Sequence, residues 1–462
     1  MGDVRIMSRR MVRPKSSTFR PPERQPETIH LTPWDLRMLI VDYNQKGVLL
    51  PKPPAAAAQG VVDRLASSLA RALGRFFPLA GRLAVNDHGG SAGQTISLRC
   101  SNEGAEFVHA VAPGVTVADV TAPLCVPRVV WSFFPLNGVV GADAAAGSRP
   151  VLAAQVTELD DGVFVAMSVN HGVADGTTFW HLFNTWSEIS RRSVNGDREC
   201  EISSPLPVFD RCVVPITVPF GKLEDIVGQR RRGYGQRPPV QECFVRFSGE
   251  SVRNLVSKAN AEMSGSGSGT TISSLQAVLA HLWRAVCRAW RLAPEEETRY
   301  VLQVGCRGRV DGVPATYSGN AAALAASDST AGEILEKGLG RAAWLLNRAV
   351  ASFDGARERA ELEKWAREPS FAMPPEFVLG AGARRLLLTG SSPRFDVFGN
   401  DFGWGAPVAV RSGAGNKMGG KVTVYEGGRG CGAGSIALEV CLAPEALARL
   451  VADQEFMSAT VP

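Results

Sequence analysis

A strand, a tight turn and a helix follow one another directly in the middle of the chain, and this succession limits the possible folds more than any other stretch. Residues 163–169 (VFVAMSV) are almost wholly apolar and predict a buried strand, while residues 177–190 predict a helix. The turn between them reads NHGVADG, with His171 at the end of the strand, Asp175 four residues later and Gly176 directly behind it. The pattern therefore places a histidine on a constrained turn at a strand end.

A histidine in this position can act as a general base. Its ordinary pKa of about 6.5 lets it accept a proton from a hydroxyl or an amine at neutral pH, and such catalysis typically contributes about 10²–10⁴-fold in rate. The turn alone leaves two alternatives open. His171 can instead be a turn residue without a catalytic role, and Asp175 can fix the loop by pairing with an arginine elsewhere in the chain.

Bulk composition excludes several classes of protein. The chain has 462 residues, so we expect more than one domain, and its net charge of +5 with scattered basic residues does not indicate a nucleic-acid partner. The nine cysteines are odd in number and form no CxxC pair, which argues against a disulfide framework or a metal site. The first residues lack the apolar segment of a secretory signal, and no apolar run is long enough to span a membrane. We therefore expect a cytoplasmic protein without a membrane partner.

Strand-like and helix-like segments alternate in two blocks separated by a proline-rich stretch. We predict a loose N-terminal segment at 1–27, a first domain at 28–205, a crossover linker at 206–240 and a second domain at 241–462. Apolar residues predict helices at 64–76, 273–290, 332–350 and 357–367 and strands at 421–425 and 435–442. This alternation predicts an α/β fold.

A second unusual stretch, DFGWG, occupies residues 401–405. Two glycines flank Trp404, so the backbone can bend sharply there. The residues alone allow two interpretations. The stretch is either a tight loop anchored by a buried indole, or a loop that presents the indole N–H as a hydrogen-bond donor to a ligand.

The two motifs together resemble those of the plant BAHD acyltransferases, and the resemblance covers nearly the whole chain. Further similar segments are LTPWDL at 31–36, FPLAGRL at 77–83, SSLQA and LWR within 273–284, and RGR and YSGN within 307–320, where Ser318 replaces a usual aromatic residue. The resemblance implies two chloramphenicol-acetyltransferase-like domains, each a mixed β-sheet with flanking helices. It also implies an active-site channel at the interface of the two domains.

The resemblance further implies a reaction of plant specialised metabolism. The family transfers an acyl group from acyl-coenzyme A, which is a co-substrate and not a permanently bound cofactor, to the alcohol or amine of a small molecule. His171 would be the general base in the channel, and Trp404 would donate to the oxyanion of the tetrahedral intermediate. Asp175 would point away from the substrate and pair with Arg307.

Other residues receive supporting roles from the same resemblance. Gly176, Asp401 and Gly403 are expected to shape the site without touching the substrate. Ser273 and Lys258 are expected to contact coenzyme A, the first as a helix cap or phosphate ligand and the second as a point charge. An exposed surface lysine is an equally good interpretation of Lys258.

Two alternative functions remain open within the family. The chain is similar to a subgroup marked by Trp34-Asp35-Leu36, by residues 43–47 and by residues 392–397. One member of that subgroup works as a coenzyme A-independent lyase in salicylate formation. A lyase that uses the same channel and a non-catalytic family member are therefore the alternatives to a transferase. The family habit implies a monomer.

Overall fold

The computed structural model describes most of the chain. The described residues are 3–15, 27–55, 59–87, 94–146, 149–194, 202–211, 239–264, 271–369, 371, 385–390 and 392–461. Within these ranges no helix combines the length and the apolar character that crossing a membrane requires. The seven cysteines in the same ranges are free thiols.

Fifteen strands form three sheets in the described ranges. They are β1 (Arg5–Val12), β2 (Thr28–His30), β3 (Asn44–Pro51), β4 (Arg82–Asp87), β5 (Gln94–Arg99), β6 (Ala105–Val111), β7 (Leu152–Glu158), β8 (Gly162–Val169), β9 (Gln241–Phe247), β10 (Glu297–Gly305), β11 (Ala322–Thr330), β12 (Arg385–Thr389), β13 (Ala409–Ser412), β14 (Lys421–Glu426) and β15 (Ile436–Leu442). The first sheet has the order β1-β6-β7-β8-β3-β13, the second β11-β10-β12-β14-β15-β9, and a small third sheet β2-β5-β4. Both six-stranded sheets are mixed, because β6–β7 in the first and β10–β12 and β12–β14 in the second are parallel pairs.

Twelve α-helices accompany the sheets in the same ranges. They are α1 (Pro33–Arg37), α2 (Val61–Arg75), α3 (Val117–Thr121), α4 (Asp143–Ala146), α5 (Gly176–Val194), α6 (Gly249–Ser264), α7 (Ser274–Trp290), α8 (Ala331–Glu336), α9 (Gly338–Ala351), α10 (Gly355–Arg367), α11 (Pro444–Val451) and α12 (Gln454–Met457). Helices α2 and α5 share one apolar core with the first sheet, and α6, α7 and α9 share another with the second. The predicted α/β class with two mixed sheets and flanking helices is confirmed.

The helices form where apolar residues recur at helical spacing. In α2, Leu65, Leu69 and Leu73 lie four residues apart and are all fully buried. The helix predicted at 332–350 is instead two helices, α8 and α9. Gly338, the first residue of α9, has φ of 83°, a conformation that interrupts a continuous α-helix and suits glycine.

The N-terminal strand β1 differs from the sequence prediction. A loose segment is predicted at 1–27, but Arg5–Val12 pairs antiparallel with β6 along its length. Seven of its eight residues are exposed, so the backbone ladder at the sheet edge holds the strand and apolar burial contributes little. The strand is basic and nearly without a buried face, which explains why the apolar pattern does not reveal it. Residues 16–26 of the predicted segment lie outside the described residues.

The two halves of the chain share the first sheet. Strand β13 comes from the predicted second domain (241–462), yet it pairs antiparallel with β3 as the last strand of the first sheet. Val397 and Phe402 are also buried in the apolar core of the first sheet. The predicted domain boundary therefore does not hold for this stretch, because its apolar side chains and backbone ladder complete the other half.

Candidate active site

The turn after β8 positions His171. The strand ends at Val169, and the buried Asn170 then connects the turn to its surroundings. The side-chain amide of Asn170 donates to the carbonyl of Gly141 (2.8 Å), and its side-chain oxygen accepts from the N–H of Gly172 (2.8 Å). These bonds fix the backbone on both sides of the histidine.

The imidazole of His171 is partly exposed, and its two nitrogens differ. Nδ1 is buried and makes no full hydrogen bond within the described ranges, although it lies against the residue's own backbone carbonyl. The residue is partly exposed, and Nε2 is not among the buried atoms without a partner, so we infer that the ring is open on its Nε2 side. Burial lowers the pKa of His171. The residue's own carbonyl and the charge of Asp175 raise it again in part, but the net pKa lies below the usual 6.5. The ring is thus neutral at pH 7 and able to accept a proton.

The carboxylate of Asp175 is engaged by groups other than His171. Arg307 holds it in a two-pronged ion pair, Nη1 to Oδ2 at 2.6 Å and Nη2 to Oδ1 at 3.0 Å. The backbone N–H of Thr178 donates to Oδ1 (2.9 Å), which also caps α5, and that of Ala321 donates to Oδ2 (3.1 Å). Burial raises the pKa of Asp175, but the Arg307 charge and these donors outweigh it, so the pKa lies below its usual range.

Arg307 extends this network into the second half of the chain. Its Nε donates to the carbonyl of Tyr317 (2.9 Å), and its Nη2 donates to the carbonyl of Gly319 (2.9 Å) and the hydroxyl of Thr178 (3.2 Å). Since Arg307 follows β10, the ion pair ties the turn of the first sheet to the second sheet. The contact between Asp175 and Arg307 that the sequence analysis expects is present.

Two further residues, Asp35 and Asn320, hold the backbone of His171. The side-chain amide of Asn320 donates to the His171 carbonyl (2.8 Å) and to Oδ1 of Asp35 (2.9 Å). Asp35 is fully buried, and its Oδ2 accepts from the N–H and the hydroxyl of Thr32 at the start of α1. Neither residue is among the predicted site residues. Asp35 lies in the LTPWDL segment and Asn320 in the YSGN segment, and these positions are the signal that could have identified them.

Trp404 lies at the far end of the first sheet from His171. Its indole N–H donates to the carbonyl of Pro51 (3.0 Å), the last residue of β3, and Pro51 pairs with Gly162 at the start of β8. His171 follows the opposite end of β8, so the length of this strand, about 24 Å, separates the two sites. The prediction that Trp404 donates to the oxyanion is therefore wrong, because its donor is both occupied and distant.

The DFGWG loop is shaped by one carboxylate. Oδ1 of Asp401 accepts from the backbone N–H groups of Gly403 (2.7 Å), Trp404 (3.1 Å) and Gly405 (3.0 Å). Gly403 has φ of 111°, which side-chain-bearing residues rarely adopt. Asp401 and Gly403 therefore shape the DFGWG loop itself. Because this loop lies at the far end of β8 from His171, these contacts do not shape the surroundings of the imidazole, as the sequence predicts they would.

The same stretch of chain packs on α5, the helix that follows the His171 turn. The ring of Phe402 meets that of Trp186 edge-on at 5.1 Å, and the hydroxyl of Ser190 donates to the Phe402 carbonyl (2.8 Å). Gly176, the first residue of α5, lies against the ring of Phe395, where an added Cβ would come within 3.5 Å. The loop thus stabilises the helix and does not reach the imidazole.

The two residues predicted to contact coenzyme A lie on the second half of the chain. Ser273 caps α7: its hydroxyl accepts from the N–H of Gln276 (3.4 Å), and the Gln276 side chain accepts from the Ser273 N–H (2.9 Å). Lys258 is exposed on α6. An open cavity of about 460 Å³ adjoins the start of α7, with Gln276, Arg309 and Asn347 among its lining residues.

A buried ionic cluster lies where the two sheets meet. Glu242 on β9 and Glu439 and Cys441 on β15 bring potential ligand atoms within 4.8 Å of one another. The ammonium of Lys417 bonds to both carboxylates, to Oε2 of Glu242 at 2.5 Å. A lysine therefore occupies the position that a bound cation would take.

Comparison with known proteins agrees with this architecture. The model of the Transferase family matches residues 3–457. An uncharacterised acetyltransferase of Arabidopsis thaliana is 36% identical over 99% of this chain and 99% of its own, and the BAHD acyltransferase DCR of the same plant is 31% identical over 98% and 92%. Among solved structures, F. graminearum TRI101 complexed with coenzyme A and T-2 mycotoxin superposes with a TM-score of 0.70 at 17% identity, covering 94% of this chain and 99% of that one.

The two mixed sheets and the superposition define the fold as chloramphenicol-acetyltransferase-like. The family model and the curated relatives define the class of protein, an acyltransferase. The chain belongs to the BAHD acyltransferase family.

Proposed function

We propose that this protein transfers an acyl group directly from an acyl-coenzyme A thioester to the hydroxyl or amine of a small molecule, with His171 as the general base. The observation that carries the proposal is the state of the imidazole. The ring is neutral because its pKa is lowered, its Nδ1 edge is covered, and its Nε2 edge is open. Such a ring offers one lone pair in one direction, which is what proton abstraction from a bound acceptor requires.

The reaction needs no group on the protein other than this base to form or break a bond. Nε2 of His171 takes the proton of the acceptor O–H or N–H as the acceptor atom attacks the thioester carbonyl. The tetrahedral intermediate then collapses, the C–S bond breaks, and the imidazolium returns the proton to the departing thiolate. The products are an ester or amide and free coenzyme A.

Asp175 acts in this scheme as a positioning residue. Its four hydrogen bonds go to Arg307, Thr178 and Ala321, so it has no acceptor position left for His171. It fixes the end of the turn, while Asn320 fixes the His171 carbonyl. The two together hold the ring in one orientation, and ordering the reacting groups in this way is a major part of catalysis in general.

Coenzyme A is proposed to approach from the second half of the chain. Arg309, which lines the cavity at the start of α7, is only two residues from Arg307 in the His171 network. Ser273 and Lys258 are proposed contacts at this end. The free thiols among the described cysteines fit a reducing compartment, and we propose that the protein works there, in the cytosol, as a monomer.

Release of free coenzyme A, measured by mass spectrometry, tests the proposal. The purified protein is mixed with a panel of acyl-coenzyme A donors and pooled plant alcohols and amines. We expect acceptor-dependent release for the natural sequence and a loss of about 10²–10⁴-fold in His171→Ala. His109→Ala, at a histidine that pairs with Glu158 on β7 of the same sheet, is the matched control and keeps its activity.

The opposite results are equally clear. Equal release from His171→Ala and from the natural sequence removes His171 from the chemistry. An acyl group that remains covalently attached to the protein after the donor is consumed contradicts the direct transfer.

A further inference from the structure

Two lysines, Lys46 and Lys421, come together where the two sheets meet. Lys46 lies on β3 and is paired in register with Ser412 of β13. The backbone N–H of Ser412 donates to Oε2 of Glu439 on β15 of the second sheet (3.1 Å), so these strands touch at this point. Lys421 begins β14, the neighbour of β15. The junction thus carries one lysine from each sheet.

The carboxylates of this region are already used by another lysine. Lys417 is buried between Glu242 and Glu439 and bonds to both. In the part of the chain that the structure describes, neither Lys46 nor Lys421 has a carboxylate within ion-pair distance. Positive charge is therefore in excess at the junction.

The two lysines are poorly stabilised as cations in the absence of a ligand. Burial lowers the pKa of Lys46 to about 7, with Glu439 opposing and the charges of Lys417 and Lys421 lowering it further. Burial likewise lowers the pKa of Lys421 to about 8. Both side chains nevertheless keep part of their surface accessible. Buried like charges without a counter-ion are unfavourable, and an anion that enters the same space relieves this.

The surroundings of Lys421 leave room for its ammonium group. A Cβ on Gly390, just after β12, would lie 2.7 Å from Nζ of Lys421 and 3.2 Å from the side-chain oxygen of Gln303. The ammonium therefore occupies the space of a missing side chain, next to an exposed amide. The side-chain oxygen of Gln303 on this side can only accept, so the ammonium of Lys421 is the group that donates to a carboxylate here.

The lysine pair also lies near the reacting centre. Lys46 is paired in register with Met167 of β8, two residues before the Val169 end of that strand, and His171 follows that end. The positive charge of Lys421 lowers the pKa of His171, which agrees with this placement. In coenzyme A, the pantetheine arm separates the thioester from the phosphates along its whole length. If His171 serves the thioester, the phosphates lie too far away to be the anion that Lys421 meets.

We propose that Lys46 and Lys421 form a carboxylate subsite beside His171, so that one of the two substrates, the acceptor or the transferred acyl group, carries a carboxylate near its reacting atom. The proposal rests on the function proposed above for His171. It goes beyond that function by naming a charge class of substrate.

Thermal unfolding tests the subsite without requiring turnover. The probes are 4-hydroxybenzoate and succinate at millimolar concentration, each compared with its methyl ester. They are tested on the natural sequence and on the variants Lys421→Met, Lys46→Met, His171→Ala and Lys364→Met. Lys364 is an exposed lysine on α10 and is the matched control. We expect the acids to raise the unfolding temperature of the natural sequence, Lys364→Met and His171→Ala more than the esters do. We expect no such difference in Lys421→Met or Lys46→Met. We expect the unliganded form of Lys421→Met to be at least as stable as the natural sequence, because an unpaired buried cation is removed.

Turnover then identifies which substrate carries the acid. In one arm succinyl-coenzyme A is compared with butyryl-coenzyme A, and in the other hydroxy acids and amino acids are compared with their methyl esters as acceptors. The arm that shows a preference for the acid names the source of the carboxylate. In that arm, Lys421→Met is expected to reduce the acid-to-neutral ratio of kcat/KM by about 10–100-fold, while Lys421→Arg keeps it.

Several results would overturn the subsite and leave the proposed transferase intact. The first is equal stabilisation by, and equal turnover of, the acids and their esters. The second is an equal rise in the KM of every coenzyme A donor in Lys421→Met, because that result would assign the lysines to the phosphates of coenzyme A. A marked loss of stability in unliganded Lys421→Met would also contradict the unpaired cation. Turnover that survives in His171→Ala contradicts the transferase mechanism instead, whatever the lysine variants do.

Discussion

Replacing Trp404 by phenylalanine separates a structural role from a catalytic one. The substitution keeps most of the apolar ring and removes only the N–H that donates to the Pro51 carbonyl at 3.0 Å. A neutral hydrogen bond contributes about 0.5–1.5 kcal/mol net, and a poorly solvated acceptor left without a partner costs about 1–3 kcal/mol. We therefore expect Trp404→Phe to lower the free energy of unfolding by about 1–2 kcal/mol.

The same substitution is expected to leave the chemical step almost unchanged. The indole lies about 24 Å along β8 from the His171 end of the strand, so it cannot reach an oxyanion formed there. We expect kcat/KM to stay within about twofold of the natural sequence. An oxyanion donor lost from the site would instead cost about 10²–10³-fold in kcat.

The assay combines coenzyme A release with urea denaturation, and Trp186→Phe is the matched control. The indole of Trp186 also donates to a backbone carbonyl, that of Leu65 at 3.0 Å, within the buried core of the first sheet. Both variants should shift the denaturation midpoint to lower urea and keep their activity. A drop of 100-fold or more in kcat for Trp404→Phe, at unchanged stability and without a similar drop for Trp186→Phe, would refute the reasoning from strand register.

Two further predictions follow from the His171 network. Asp175→Asn is expected to destabilise the protein by about 3–5 kcal/mol, because it leaves the buried Arg307 without its counter-charge. In thermal unfolding, the double variant Asp175→Asn with Arg307→Met should lose less stability than the two single variants lose in sum. Strictly additive losses of stability would contradict the coupling of the two residues. The pH profile of kcat/KM should rise with pH and then level off, with a midpoint below the usual 6.5 of histidine, because the neutral ring is the base and its pKa is lowered. A midpoint above 6.5 would mean that another group provides the base.

The position of the histidine could be predicted from the sequence because its causes are local. An apolar run that ends in NHGVADG specifies a strand, a turn and a helix start within a few residues, and the structure places them at Gly162–Val169 and Gly176–Val194. The contact between Asp175 and Arg307 spans 132 residues and was expected only through the family resemblance. No local pattern links Asp35 to Asn320, which are 285 residues apart.

The misassigned and missed residues depend on the register of the sheets. The DFGWG motif indicates a bent loop, but only the pairing of Pro51 with Gly162 reveals that Trp404 lies at the wrong end of β8 for catalysis. Lys46 lies in the polar first half of β3 and Lys421 is the first residue of β14, and a lysine at the start of a strand is a weak signal by itself. Their significance arises only when β13 and β15 meet and bring the two strands together.

The late position of β13 in the sequence has a consequence during synthesis. Five of the six strands of the first sheet have left the ribosome once β8 is made, and β13 is the sixth. About 240 residues separate the end of β8 from the start of β13. At about 5–20 residues per second, the ribosome needs roughly 12–48 s to supply them. During that interval the edge of β3, with the apolar run from Val48 to Leu50, has no partner strand on the nascent chain. An unpaired apolar edge is prone to aggregation, so this chain should depend on chaperones during translation, and a fragment that ends before β13 should aggregate where the full-length chain does not.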